Sequence, residues 1–259
     1  MSNIAINHVN SGVMHVRVAR SERITPSVQR VTFSGIDLER LNWRGFDQWV
    51  RLFLPANDPS DLDHVPHRLT LQSWLRLQAV PFARRPQVRS YTVRAWRAEL
   101  CELDIDFVVH GDQGVAGPWS TRAVAGDVAA ILDQGCGWPR PEASRVVLIG
   151  DESGLPAVAG VLRDLPRDTT GLAIIEVPDR ADAQPTDAPH GVDVRWLVRR
   201  AGRSHGETAL AELADAALPV ADRHAFAVGA SRLATGARRH LVRDRGWGKD
   251  EVTFCGYWR

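Results

Sequence analysis

The second half of the chain alternates apolar, strand-like segments with helix-like segments, and this pattern constrains the fold more than any other feature. Residues 145–149, for example, form a near-continuous apolar run, and a helix-like segment follows at 156–165. Further strands are predicted at 171–177, 192–197 and 225–229, and further helices at 208–217 and 233–245. Such alternation is typical of a parallel sheet that helices cover on both faces, and ligands bind these sheets at the carboxyl ends of the strands.

The first part of the chain has a different pattern, in which short β-rich segments each stop at Pro, Gly or Asn. They lie at residues 14–20, 28–33 and 49–54 and around Tyr91 and Phe107. These segments predict an antiparallel sheet that closes into a small barrel. A stretch rich in Gly and Pro at 133–141 separates the two patterns. We therefore expect a β-barrel domain at residues 1–140 and an α/β domain at residues 141–259.

Composition excludes several classes of function. The chain has 32 basic and 31 acidic side chains, so its net charge of +1 gives no reason to expect nucleic acid or a membrane surface as a partner. Its three cysteines are too few and too far apart for a disulfide framework, a zinc site or a four-thiolate iron–sulfur cluster. A protein of this composition that carries electrons needs an organic cofactor.

Other segments carry weaker signals. Residues 56–87 form a long, weakly periodic excursion with a short helix near 69–77, to which we assign no function. His64 and His67 within it lack further ligands nearby, so no metal site is predicted. The first residues lack the features of a signal peptide, and no stretch reaches the roughly 20 apolar residues of a membrane span. We expect a cytoplasmic protein without stable membrane association.

The segment at residues 89–97 carries the clearest binding pattern. A strand with Tyr91, Thr92 and Arg94 offers an aromatic face, a small hydrogen-bonding group and a cation to a ligand that has a ring and phosphates. Arg89 adds a guanidinium, which can hold a phosphate through two parallel hydrogen bonds. FAD is such a ligand. The alternative is a barrel strand whose tyrosine packs inside and whose arginines are solvated.

This segment resembles the Arg-x-Tyr-Thr-x-Arg stretch of the siderophore-interacting proteins, which are ferric-siderophore reductases among the ferredoxin-reductase-like flavoproteins. The resemblance continues, in the family's order, at residues 104–112, 114–119, 150–157 and 256–259. It implies an FAD-binding barrel followed by an α/β domain that binds NADH or NADPH. In one departure, Ala230 stands where the family often has a Glu that could contact the nucleotide or the domain interface.

The resemblance also implies the contacts of FAD. Tyr91 would stack on the isoalloxazine or lie against the ribityl chain, Thr92 would bond near the N5 and O4 edge, and Arg89 would hold the pyrophosphate. Further cofactor contacts are expected at His110, Val115, Ala116, Gly117, Trp119 and Ser120. For His110 we favour a positioning role over that of an acid or base, because flavin chemistry needs no side-chain proton where solvent reaches the ring.

On the nucleotide side, the resemblance assigns Asp151, Glu152 and Ser153 to the loop that binds the nicotinamide nucleotide. Tyr257 and Trp258 would lie near the flavin face, or alternatively pack in a final core strand. Glu176 at a strand end could bind a ribose 2′-hydroxyl and favour NADH. A set of arginines could instead meet the 2′-phosphate of NADPH, and the choice stays open; these are Arg180, Arg199 and Arg203.

The function implied by the resemblance is reduction of ferric siderophores in the cytoplasm, with electrons from NADH or NADPH passing through FAD and Fe(II) being released. Most siderophores are anionic once they hold Fe(III), so Lys249 and Arg245, shortly before the last strand, are candidates for binding the chelate. Two alternatives stay open. One is a flavin oxidoreductase that serves another acceptor, such as a ferredoxin; the other is a non-enzymatic protein that binds FAD or a siderophore.

Overall fold

The computed structural model describes residues 2–4, 12–68, 70–109 and 114–258. The first domain is a closed barrel whose strands pair in the order β1, β2, β5, β4, β3, β6, all antiparallel. The strands are β1 (Val13–Thr25), β2 (Val28–Ser34), β3 (Trp49–Leu54), β4 (Gln87–Arg97), β5 (Glu102–Val108) and β6 (Val128–Asp133). The predicted barrel is confirmed, and β6 is a strand that we did not predict.

Strand β5 alternates apolar and acidic residues, and this period of two decides which face lies inside. Leu103, Ile105 and Phe107 are buried in the barrel core. The acidic residues between them point outward to arginines of the flanking strands. Asp104 accepts hydrogen bonds of 2.8 and 2.6 Å from Arg97 of β4, and Asp106 accepts bonds of 2.7 and 2.8 Å from Arg30 of β2.

The excursion between β3 and β4 covers the outer face of the barrel. It contains a 3-10 turn (Pro59–His64) and the helix α1 (Leu71–Ala79), close to the predicted helix. Leu62 and Leu77 of this excursion pack on Ala130 of β6 in a small second core. Because the cover buries β6 on its outer side as well, that strand has no polar face and no alternation. Between β5 and β6 lies a short helix, α2 (Ala116–Arg122).

The second domain is a sheet of five parallel strands in the order β11, β10, β7, β8, β9. The strands are β7 (Arg145–Gly150), β8 (Thr170–Val177), β9 (Gly191–Val198), β10 (Arg223–Ala230) and β11 (Val252–Trp258), and the helices are α3 (Leu155–Asp164), α4 (Glu207–Asp215) and α5 (Ser231–Arg239). A π-helical turn (His240–Asp244) continues α5. The predicted parallel α/β architecture is confirmed. The boundary that we propose at residue 140 falls in the connection between β6 and β7.

The two domains make close contacts through α3 and through the loop after β8. A Cβ atom at Gly160 of α3 would lie 2.0 Å from the carbonyl oxygen of Phe46, so only glycine lets this helix approach the barrel. In the loop after β8, the buried Asp182 reaches the turn between β1 and β2. It accepts hydrogen bonds of 2.7 Å from both the Thr25 hydroxyl and the Ser27 N–H.

We expect Asp182→Ala to lower the free energy of unfolding by about 1.5–3 kcal/mol, because the substitution leaves two part-buried donors of the barrel without their charged acceptor. Urea unfolding of the full chain measures this difference. Asp187→Ala is the control, since the Asp187 side chain in the same loop is 77% exposed and lies 3.8 Å from Arg167. Equal effects of the two substitutions would contradict the role that we give to Asp182.

Residues 2–4 form a short strap along the outer edge of the second sheet. The Asn3 side chain donates to the Val252 carbonyl at 2.8 Å and accepts from the Phe254 N–H at 2.8 Å. Ser2 forms an isolated antiparallel bridge with Cys255. The strap therefore covers the free edge of β11. Among the described residues, no helix has the length and apolar character that a membrane crossing requires.

Candidate functional site

Strand β4 supplies the barrel side of the candidate site. The ring of Tyr91 lies 4.4 Å from that of Phe107 between centroids, and burial raises the pKa of its hydroxyl. Thr92 points to the opposite side of the strand and is buried. Arg89 is exposed, and within the described part of the chain its guanidinium donates only to the Val88 carbonyl, at 2.8 Å. A guanidinium that has no carboxylate partner is open to a phosphate.

The turn before α2 offers backbone groups beside the end of β5, where Gly117 lies against the Val108 carbonyl. Val115 is 37% exposed and directly precedes the helix. Ala116 and Gly117 open the helix, whose first N–H groups have no acceptor within it. The predicted contact His110 lies outside the described residues. The turn therefore suits an anion through its backbone.

Two other residues of α2 do not face this turn. Trp119 stacks nearly parallel to Phe33 in the barrel core, with the ring centroids 6.1 Å apart. Ser120 is fully buried, and its hydroxyl donates to the Gly117 carbonyl at 2.7 Å. Both side chains serve packing, and the contact expected between FAD and the backbone of residues 115–120 stays a prediction.

Asp151 organises the loop between β7 and α3. It is fully buried, and Oδ1 accepts from the N–H and the hydroxyl of Ser153 at 3.0 and 2.6 Å. Its Oδ2 accepts from the Ala230 N–H at 2.7 Å, which ties the loop to the end of β10. A Cβ at Gly154 would lie 2.7 Å from the Val228 carbonyl oxygen, so this close approach requires glycine. Asp151 thus shapes the loop, which leaves Ser153 as its accessible polar side chain.

The end of β11 joins both domains at this site. Burial raises the pKa of the Tyr257 hydroxyl well above its usual value, although the nearby Thr92 of the barrel acts against the shift. Since 41% of Tyr257 is exposed, we infer that the hydroxyl is enclosed while a ring edge is open. Trp258 donates to the Ser153 hydroxyl at 2.9 Å and packs edge-on against His205. Barrel strand and nucleotide loop therefore meet at two adjacent aromatic residues.

A buried charge network lies beneath the loop between β7 and α3. Glu176 is fully buried and accepts from Arg199 Nε at 2.8 Å and from the N–H groups of Gly206, Thr208 and Ala209 at 2.8 to 3.1 Å. It therefore caps α4 from a neighbouring strand. Its predicted contact with a ribose hydroxyl does not fit this arrangement, because both oxygens are engaged. Arg199 is equally committed, whereas Arg180 and Arg203 are exposed.

Glu152 belongs to the same network. It pairs with Arg199, and its Oε1 lies 3.1 Å from Nδ1 of His205. Burial and the neighbouring Asp151 raise the pKa of Glu152. Asp151, Glu152 and His205 place possible metal-ligating atoms within 4.8 Å of one another. We assign them no ion, because the loop amides and Arg199 already satisfy the carboxylates.

The two predicted chelate ligands lie elsewhere. Lys249 is exposed and precedes Val252, the first residue of β11, so it lies at the amino edge of the sheet. Arg245 donates to His240 at 3.1 Å and to the Ala216 carbonyl at 3.3 Å, beside the end of α4. Trp258 follows Val252 by six residues and therefore lies about 20 Å from it along β11, at roughly 3.3 Å per residue. The structure does not bring these cations to the site, and we do not retain them.

A buried carboxylate at the domain junction was not predicted. Asp47 accepts from the N–H groups of Gly137 at 3.0 Å and Trp138 at 2.9 Å, and burial raises its pKa to about 6. It also interacts electrostatically with Tyr257. Asp47 stands just before a strand, and no sequence pattern distinguishes it from an ordinary loop residue. It fastens the barrel to the connection between the domains.

These residues fit FAD. An arginine without an ion-pair partner, an aromatic ring on β4 and the open first turn of α2 offer what a dinucleotide with a flat ring requires. The closed barrel, followed by a parallel sheet whose last strand returns to the barrel, defines the ferredoxin-reductase-like class of flavoproteins.

Within that class, the chain belongs to the siderophore-interacting protein family. The siderophore-interacting FAD-binding domain matches residues 17–137, and the siderophore-interacting protein domain matches residues 143–259. The expected family and its FAD-binding domain are thereby confirmed.

Similar proteins include a crystal structure of a siderophore utilization protein from T. fusca. It is 32% identical, with a TM-score of 0.82, and the match covers 98% of this chain and 95% of that one. The ferric vibriobactin reductase ViuB of Vibrio cholerae is 29% identical over 93% of this chain and 87% of its own. The NADPH-dependent ferric-chelate reductase of Escherichia coli is 29% identical over 93% of this chain and 91% of its own.

Proposed function

We propose that this protein reduces ferric siderophores in the cytoplasm with electrons from NADH or NADPH and so releases Fe(II). The observation that carries the proposal is the 2.9 Å hydrogen bond from Trp258, at the end of β11, to Ser153 of the nucleotide loop, next to Tyr257, which interacts with Thr92 of the barrel. Such a junction allows a nucleotide on the sheet to approach a flavin on the barrel. The named activities of the relatives in Vibrio cholerae and Escherichia coli support the same reaction.

The residues that would hold FAD lie on β4 and at the start of α2. Arg89 would bind a phosphate of FAD, and Tyr91 would lie against the flavin ring system. Thr92 would form a hydrogen bond at the polar edge of that ring. The N–H groups of Ala116 and Gly117 would face the diphosphate. When bound, FAD supplies the ability to accept electrons as a hydride and to return them singly.

The protein's own contribution is to align the two partners and to exclude water between them. One nucleotide gives up a hydride, which carries two electrons, and each Fe(III) takes one. Two ferric chelates are therefore reduced for each nucleotide oxidised, and one proton is released. Fe(II) binds hard oxygen chelators less strongly than Fe(III), so the metal leaves.

Of the two nucleotides, we favour NADPH. A carboxylate at the end of the second strand typically binds the ribose 2′-hydroxyl of NADH. Glu176 stands at that place, but Arg199 and the start of α4 occupy its oxygens. The named NADPH dependence of the relative in Escherichia coli supports the same choice.

The test is anaerobic mixing of the FAD-loaded protein with NADH or NADPH, followed by addition of a ferric siderophore and a coloured ferrous trap. We expect the flavin absorbance to bleach with the nucleotide and to return with the chelate, with two Fe(II) trapped per nucleotide. A flavin that bleaches but reduces no ferric chelate would favour an oxidoreductase with another acceptor, such as a ferredoxin. A flavin that neither nucleotide bleaches would contradict the proposed donor.

We expect Arg89→Ala to weaken FAD binding roughly ten- to a hundredfold, since a charge-assisted contact with phosphate contributes about 1.5–3 kcal/mol. Fluorescence titration of the apoprotein with FAD measures the dissociation constant, and circular dichroism checks the fold. Arg239→Ala, which removes an exposed arginine from α5, is the matched control. An unchanged dissociation constant for Arg89→Ala would show that Arg89 is only a solvated residue of the barrel.

A further inference from the structure

A polar cleft lies between the barrel, the interdomain connection and β11. Its volume is about 550 Å³, within the range of small-molecule sites. The barrel contributes Asn42 and Arg44, the connection contributes Cys136 and Arg140, and β11 contributes Thr253. None of these residues belongs to the flavin and nucleotide site described above.

The cleft is positively charged. Arg44 and Arg140 line it, and its described lining contains no Asp or Glu. Neither arginine takes part in a salt bridge between residues that the structure describes. Arg140 donates to the Arg44 carbonyl at 2.7 Å and lies over the Phe46 ring, so its guanidinium is held in place. Two guanidinium groups in a concave wall whose described residues include no carboxylate attract an anion.

Two buried carboxylates lie near these arginines but do not line the cleft. Asp47, which interacts electrostatically with Arg140, accepts the N–H groups of Gly137 and Trp138, and Asp133 interacts electrostatically with Arg44. The positive charge is therefore a property of the cleft wall.

Strand β11 connects the cleft with the candidate site. Alternate residues of a strand share one face, so Thr253, Cys255 and Tyr257 form one row. Thr253 lines the cleft, and Tyr257 reaches Thr92 at the flavin side. The two ends of this row are about 13 Å apart at roughly 3.3 Å per residue. An occupant of the cleft would thus lie along the strand that ends at the redox site.

We propose that this cleft binds the anionic ferric chelate, with Arg44 and Arg140 as its cationic ligands. The inference rests on the proposed function and specifies where its substrate docks. It moves the chelate from the amino edge of the sheet, where Lys249 lies, to the junction of the two domains.

The test compares two redox-inert probes that differ mainly in charge, a trianionic gallium(III) tris-catecholate and a neutral gallium(III) tris-hydroxamate. Calorimetric titration of the FAD-loaded full chain measures their binding at low salt. We expect Arg44→Gln to weaken binding of the trianionic probe roughly tenfold and that of the neutral probe less than about twofold. The difference should shrink at high salt because screening weakens exposed charge interactions. Arg44→Lys, which keeps the charge, should retain most of the affinity.

Arg239→Gln on α5 is the charge-matched control and should bind both probes as the parent does. Should Arg44→Gln not fold, Arg44→Lys compared with Arg140→Gln provides the same contrast. Equal binding of the trianionic probe by parent and Arg44→Gln would overturn the inference, as would a loss in Lys249→Gln alone. Failure of the proposed function would be recognised by a different result, because the parent protein itself would then reduce no ferric chelate in the presence of NADPH.

Discussion

Replacing Glu176 by alanine is expected to lower the free energy of unfolding by about 3–5 kcal/mol, a larger loss than that expected for Asp182→Ala. The substitution leaves the buried guanidinium of Arg199 with only Glu152 and removes the acceptor for three N–H groups at the start of α4. Removing a carboxylate from a buried hydrogen-bonded network is strongly destabilising, because the buried donors are left without their acceptor. Urea unfolding followed by circular dichroism measures the change.

The variant Glu176→Gln separates the two causes of this loss. It keeps an oxygen as acceptor for the start of α4 but removes the charge that faces Arg199, so it should cost less stability than Glu176→Ala. Glu212→Ala is the surface control, since Glu212 pairs with the partly exposed Arg195 and should change stability by less than about 1 kcal/mol. Similar losses for Glu176→Ala and Glu212→Ala would refute the buried network.

A second large effect is expected from acid, through His224. This residue lies in the core beside Trp138 and shares a 3.0 Å hydrogen bond with Thr253, and burial lowers its pKa to about 4 although Glu251 and Asp250 act against the shift. The unfolded chain therefore takes up a proton near pH 6.5, whereas the folded protein does not until about pH 4. Stability is fully present above pH 6.5 and should fall by on the order of 3 kcal/mol as the pH drops to 4.

The measurement is the free energy of unfolding of parent and His224→Gln at intervals between pH 7 and pH 4. Glutamine can still bond to Thr253 but does not titrate, so the gap between the two proteins should change across this window in favour of the variant. His190→Gln, at an exposed turn, should follow the parent. Parallel curves for parent and His224→Gln would mean that His224 is protonated in the folded state as readily as in the unfolded chain.

The features that could be predicted from the sequence depend on burial along a single element. The alternation around Phe107 marks a barrel strand, because every second side chain faces the core. The apolar runs of β7 and β8 are buried on both faces and mark a parallel sheet. Strand β6 lacks both signals: it is buried on both sides, yet it includes Ala129 and Ala130, which have low β-propensity.

The parts that could not be predicted depend on partners far away in sequence. Glu176 looks like a nucleotide ligand at a strand end, but the N–H groups that engage it begin 30 residues later. Lys249 is close to Trp258 in sequence, yet a strand separates them in space. Trp119 belongs to a motif typical of the family, but its ring is recruited to the barrel core. Motifs identified the site, whereas the role of each side chain required the packing.

The strap formed by residues 2–4 has a consequence for biosynthesis. Asn3 bonds to residues 249 and 251 positions later in the chain, so the ribosome makes these partners long after the strap itself. All barrel strands are contained within residues 13–133 and can assemble long before that. We therefore expect nascent chains to pass through a stage with a finished barrel and an incomplete sheet. Until β11 emerges and the strap docks, the edge of β10 is unpaired, and chaperones would find their binding surface there.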